Sequence, residues 1–290
     1  MILLILHKVA LMAPAWIGPI MALATGTEGH GDAHGGEHAA EGGHGGGVHL
    51  PNLVYVLFGS DSAAGHWVNV IFAFSVGVFL SVFAVRVYSK RELIPGKLQN
   101  VVEMIVEGLY NFIASILGEK EAKVYIPYLG SLFLYILLMN WLGMIPLGHS
   151  PSTNINITLS LAALTFFYAQ AVGIKRLGIG GYLHHMAGSP NDAVGWGICW
   201  LIFPLHIIGE IAKPVSLSLR LFGNITGEDT LVAVFVGLGV AMLSFAPVGV
   251  PLQLPFYFLG LLLSTIQALV FTLLSTIYIL LMLPHEEHAH

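Results

Sequence analysis

Between residues 206 and 228 the chain has the residue types and spacing needed to move a charge through an apolar environment: His206, Glu210, Lys213, Leu217, Arg220, Asn224 and Glu228. Their separations are only threes and fours, so on one helix they share an arc of about 80°. Asp229 falls off that arc. The surrounding segment, Ala193 to Ala246, is otherwise apolar. A charge at the centre of a bilayer costs roughly 2.5 to 3.5 kcal/mol on insertion scales, so several on one face must look onto water, protein or ions. A proton or ion path has that form. Pairing within the helix accounts for part of the stripe, with Glu210 bonding Lys213 three residues on and Glu228 bonding a nearby donor. It does not account for Arg220, which is flanked by Leu217, Leu219, Leu221 and Phe222 and has no carboxylate three or four residues away. The partner of Arg220 is expected elsewhere, on another subunit.

A second polar line follows on the closing apolar segment, where Ser264, Gln267, Ser275 and Tyr278 recur at helical spacing if Phe271 is counted as a step. Gln267 is the functional candidate of this line. For its serines the ordinary reading is a bond to the helix's own carbonyls or packing at an interface.

These stripes need long helices to hold them. Leu254 to Leu283 carries no charge over thirty residues, about 45 Å as a helix against a hydrocarbon core of roughly 30 Å, which calls for strong tilt. Pro247, Pro251 and Pro255 separate it from the preceding segment, predicting a hairpin of two long helices. Upstream, Val68 to Tyr88, Val124 to Leu147 and Asn154 to Ile174 are long and apolar enough to span, with Gly148 to Thr153 as a turn. Between Gln99 and Gly118 the polar residues Glu103, Glu107, Asn111 and Ser115 recur every fourth position. That pattern suits a helix at the interface or packed on a neighbour rather than a span. The expectation is an all-α membrane protein of five to six membrane helices.

Basic residues set its orientation. Arg86, Lys90, Arg91 and Lys97 cluster after the first span, and Lys175 and Arg176 follow the third. By the positive-inside rule both clusters are cytoplasmic, which puts the turn of the long hairpin outside and the C-terminus inside. The first 24 residues end in Ala22-Leu23-Ala24 and fit a cleaved signal peptide, with a retained anchor as the alternative because Met1 to Leu6 precede Lys8. Residues 25 to 56 form a tail rich in Gly and His that cannot build a core. Its His30, His34 and His38 are spaced for a helix, but Gly29, Gly31, Gly35 and Gly36 oppose one, so no metal site is expected there. A short tail of residues 284 to 290 closes the chain.

Composition agrees with this organisation and excludes other classes. Hydrophobic residues make up 56% of the 290 positions and charged residues 9%, with mean hydropathy +0.81, whereas a soluble domain carries about 25% charged residues. The net charge is −5 and no basic run exceeds two adjacent residues, so nucleic acid is not an expected partner. A single cysteine, Cys199, rules out an internal disulfide, a zinc knuckle or a redox pair.

The run Lys213-Pro214-Val215-Ser216-Leu217-Ser218-Leu219-Arg220-Leu221-Phe222-Gly223-Asn224 resembles the signature of subunit a of bacterial F-type ATP synthases. Supporting matches are Gly96 to Glu103, Asn140-Trp141-Leu142-Gly143-Met144-Ile145-Pro146, Asn156 to Ala162 and Thr265-Ile266-Gln267-Ala268. They spread the likeness over residues 57 to 283. The resemblance implies a stator subunit in the cell inner membrane whose two tilted helices face a ring of c subunits and supply two aqueous half-channels. It implies b-type peripheral stalk subunits as further partners, no cofactor, and no catalytic chemistry in this subunit by itself. Arg220 would be the separator opposite a ring carboxylate. Asn224, Glu228 or Asp229, and Gln267 would serve the outside half-channel, and His206, Glu210 and Lys213 the cytoplasmic one. Aligned from Arg220 without gaps, the family acid falls on Asp229, whereas the helical arc favours Glu228. Gly260 stands where some relatives have histidine, His206 where they often have a carboxylate, and Asn154 where they often have an acid.

Other readings use the same residues. A secondary cation/proton transporter would put the buried charges in a coupling site, but such proteins show internal repeats and broken midplane helices, and no repeat is visible. A metal permease would need ligands inside several spans, where only His206 qualifies. A membrane hydrolase lacks any Gly-x-Ser-x-Gly or His-Glu-x-x-His motif.

Overall fold

Length and hydropathy dictate helices, because backbone N–H and C=O groups in lipid must be satisfied within the segment that carries them. The computed structural model describes residues 67–89, 96–145, 148–186, 193–242 and 253–283. The signal-like start, the His-rich tail, Pro247, Pro251 and the closing residues 284–290 lie outside the described residues. The helices are α1 (Val68–Ser89), α2 (Lys97–Leu117), α3 (Glu119–Met144), α4 (Ile155–Met186), α5 (Ala193–Met242) and α6 (Leu254–Leu281), with a 3-10 turn at Pro151–Thr153. All six helices are long and apolar enough to cross a membrane, and no strand occurs among the described residues. The chain is an all-α, multi-pass membrane protein.

Helix ends differ from the sequence expectation by five residues or more in two places, the start of α3 and the end of α4. Helix α3 begins at Glu119 rather than Val124, because Glu119 and Glu121 in its first turn suit the positive end of the helix dipole. Helix α4 starts where Asn154 Oδ1 accepts the backbone N–H of Asn156 at 2.9 Å, an N-cap. It runs past Ile174 to Met186, with a break at Gly178. Pro255 falls in the first turn of α6, where a missing N–H costs nothing.

Helix α3 is the centre of the bundle. Leu129, Leu132, Ile136 and Met139 are fully buried, and it packs on α1, α2 and α6. Its antiparallel course against α1 is fixed by Tyr135, whose hydroxyl donates to the Ala73 carbonyl at 3.2 Å, and by His149 beyond its end, whose ring nitrogen lies 2.6 Å from Asn69 Oδ1. Against α4 it is held by the Arg176–Glu121 ion pair at 2.6 Å and by Tyr128 stacked on Tyr168 at 3.6 Å. Lys120, Lys123, Lys175 and Arg176 therefore share one end of the bundle, the basic end. The 3-10 turn marks the other, the turn end. Helix α2 links the close of α1 to the start of α3, both at the basic end, and packs Val106, Ile113 and Leu117 into the core. It packs on α3 and α6, as its four-residue polar spacing allows, yet it is also long and apolar enough to span, which the spacing did not predict.

Candidate functional site

Helices α5 and α6 form an antiparallel pair whose register holds to within one residue. Lys213 Nζ stands 5.5 Å from the Tyr278 ring centre, Asn224 Nδ2 donates to Gln267 Oε1 at 2.5 Å, Ser264 Oγ donates to Glu228 Oε2 at 3.0 Å, and Phe235 stacks on Phe256 at 3.8 Å. Steps of 11, 4 and 7 residues along α5 are matched by steps of 11, 3 and 8 back along α6, as the two polar stripes require.

Two polar clusters occupy this seam. The one nearer the turn end holds Asn224, Glu228 and Gln267. The Ser264 that bonds Glu228 also offers its carbonyl to Asn140 Nδ2 at 3.3 Å, and Asn140 Oδ1 accepts from Ser152 Oγ at 2.8 Å. A continuous run of polar groups thus leads from Glu228 to the 3-10 turn. Gln267 is 2% exposed, and its Nε2 has no hydrogen-bond partner among the described residues. A buried donor of that kind costs about 1–3 kcal/mol unless water satisfies it. Gly260 makes room for the acid: a Cβ there would lie 2.8 Å from Glu228 Cδ.

The cluster nearer the basic end centres on Glu210, buried at 4%. Its Oε1 accepts from Lys213 and lies 3.9 Å from His206 Nε2, and its Oε2 accepts from Gln170 Nε2 at 2.8 Å. Burying a carboxylate is tolerable here because cations and donors surround it.

Leu217, Leu221 and Phe271, all buried, separate the two clusters. Lys213 and Asn224 are eleven residues apart, about 16 Å along the helix, too far for direct hydrogen bonding. Arg220 lies at the level of this apolar layer, about 60° round α5 from Leu217, at the exposed edge of the stripe where Ser216, Leu219 and Gly223 are also exposed. The ion pairs among the described residues are Glu121–Arg176, Glu210–Lys213 and Glu210–His206, so Arg220 belongs to none of them.

The structure brings Asn224, Glu228 and Gln267 together, and His206, Glu210 and Lys213 together. Asp229 sits one position on, half-buried beside Glu228. Both pairings that would explain the stripe without function are present, Glu210 with Lys213 and Glu228 with Ser264. On α6 the serines divide: Ser275 bonds its own helix at Phe271 O, 2.8 Å, whereas Ser264 turns to Glu228. Sequence reasoning missed Asn140, Ser152, Gln170 and Tyr182 as site residues. The available signal was an amide deep in an apolar run: Asn140, alone in Val124 to Leu147, and Gln170, far from the Asn154 and Asn156 that open its segment.

A bundle of apolar helices with ionisable side chains on an internal seam defines a membrane protein of the ion-conducting class. A family model described as ATP synthase A chain matches residues 68–280. ATP synthase subunit a of Protochlamydia amoebophila (strain UWE25) is 47% identical over 246 residues, covering 82% of this chain and 90% of that protein. ATP synthase subunit a of Oleidesulfovibrio alaskensis is 41% identical over 242 residues, covering 83% and 94%. The chain belongs to the ATP synthase A chain family, which decides against the transporter reading of the same charges.

Proposed function

We propose that the chain is the proton-translocating subunit a of an F-type ATP synthase, with one aqueous half-channel at each end of the α5–α6 seam. The carrying observation is two polar clusters on one seam, parted by Leu217, Leu221 and Phe271, with Arg220 at the exposed edge of α5 at the level of that layer. The turn-end cluster, Asn224, Glu228 and Gln267 with Asp229 beside them, is the outside half-channel, and Asn140 and Ser152 line its inlet. The basic-end cluster, His206, Glu210 and Lys213, is the cytoplasmic half-channel, since Lys and Arg gather on the cytoplasmic side.

The outward face of α5 meets the ring of c subunits. A guanidinium remains protonated in proteins, so Arg220 attracts a ring carboxylate without relaying protons. It holds that carboxylate in the deprotonated form and keeps the half-channels apart. A proton arriving from outside neutralises the carboxylate, which then crosses the lipid-facing arc uncharged, because moving it there as an anion costs far more. On the far side it releases the proton toward Glu210 and His206. The membrane potential contributes about 2.3 kcal/mol per charge per 100 mV. Peripheral stalk subunits hold the chain against the torque, and ATP is made elsewhere in the complex, in the cell inner membrane.

The test is ATP-driven proton pumping by inner-membrane vesicles carrying the complex with native Arg220 or Arg220→Ala. Loss of pumping with the complex assembled is expected. Unchanged pumping would end the separator assignment.

A further inference from the structure

Glu210 is reached from a second helix by residues outside every motif matched above. Helix α4 breaks at Gly178, where φ is 71° and ψ is 165°, a conformation that residues with a side chain rarely adopt. Twelve residues of unbroken helix separate groups by about 18 Å, so Tyr182 could not otherwise meet Gln170. Because of the break, Tyr182 Oη donates to Gln170 Oε1 at 2.5 Å, and Gln170 Nε2 donates to Glu210 Oε2 at 2.8 Å. The direction of the chain is set by its ends: an ionised carboxylate only accepts, so Gln170 must present its amide donors to Glu210 and its oxygen to the tyrosine.

We propose that Tyr182 and Gln170 are positioning residues for the cytoplasmic half-channel, a strap from α4 that occupies one oxygen of Glu210 and confines proton loading to the other. The other oxygen is Oε1, which accepts from Lys213 and lies 3.9 Å from His206 Nε2. The inference rests on the proposed function, since it assigns a task within that path. The titratable and charged groups facing Glu210 are His206 and Lys213 on its own helix, Tyr182 on α4 and Tyr278 on α6.

The experiment compares Tyr182→Phe, Gln170→Leu, Arg220→Ala and the native complex in inner-membrane vesicles. It measures assembly, ATP-driven acidification, and passive proton conduction between pH 6 and 9 after the catalytic sector is stripped. Tyr182→Phe keeps the ring and loses only the hydroxyl. With assembly normal, it is expected to slow acidification about fivefold, the worth of one hydrogen bond, and to displace the pH of half-maximal conduction by about half a unit or more. Gln170→Leu is expected to produce a larger displacement in the same direction. Slowing by one factor at every pH, native behaviour, or failure of Tyr182→Phe to assemble would each overturn the strap. Native pumping by Arg220→Ala would instead overturn the path on which it depends. Loss of pumping by Arg220→Ala beside a native Tyr182→Phe would remove the strap alone.

Discussion

At the scale of the residue, what each carboxylate touches favours one acid for the proposed outside half-channel. Glu228 meets Ser264 across the seam and fills the space above Gly260, whereas Asp229 is displaced by one helical step. Glu228→Gln is therefore expected to slow ATP-driven pumping on the order of tenfold or more, with a smaller effect for Asp229→Asn. The reverse ranking in vesicle acidification would transfer the role to Asp229. Gly260→Ala puts a methyl group against Glu228 and Met144. Overpacking of this kind costs about 1–3 kcal/mol, so less assembled subunit and slower pumping are expected together, read by immunoblot and acidification of the same vesicles. The arc of threes and fours was legible in the sequence because helical geometry is local. That Glu228 faces a serine and a glycine on another helix was not, because the partner is 36 residues away along the chain.

At the scale of the element, α5 has two faces in different surroundings. Leu217, Leu221 and Ile225 are buried against the bundle, while Val215, Leu219 and Val234 are exposed although they are equally apolar. Leu221→Ala should cost about 2–5 kcal/mol, as large-to-small changes in a packed core do, and lower the yield of folded subunit. Leu219→Ala should leave the fold intact and loosen the complex, seen as c subunits lost from the purified enzyme on raising detergent. Equal effects on folding would mean that both faces pack within the chain. Hydropathy could not separate these faces, since lipid, a partner subunit and the chain's own core all favour the same residue types.

At the scale of the molecule, the antiparallel order of α1, α3 and α4 collects the basic residues at one end. The proposed sidedness rests on that asymmetry. In a chain with Cys199→Ser, a cysteine placed by Lys120→Cys is expected to react with an impermeant maleimide from the cytoplasmic side. One placed by Ile145→Cys, exposed at the far end of α3, should react only from outside. Labelling from the opposite sides would invert the assignment of the two half-channels while leaving the seam as described.

The helical class, the turn near residue 150 and the charged stripe were all written in the sequence, and the number of long segments to within one. Each depends on local pattern: segment length against bilayer thickness, and period against 3.6 residues per turn. Family membership was legible for a similar reason, through a compact run around Arg220. Only the tertiary structure decided which polar groups meet. The register of α5 on α6, the apolar layer at Leu217, Leu221 and Phe271, the path through Asn140 and Ser152, and the return of Tyr182 to Gln170 all join residues far apart in the chain. Those contacts depend on how helices pack and where α4 breaks, and side-chain complementarity between distant segments leaves no periodic trace along either one.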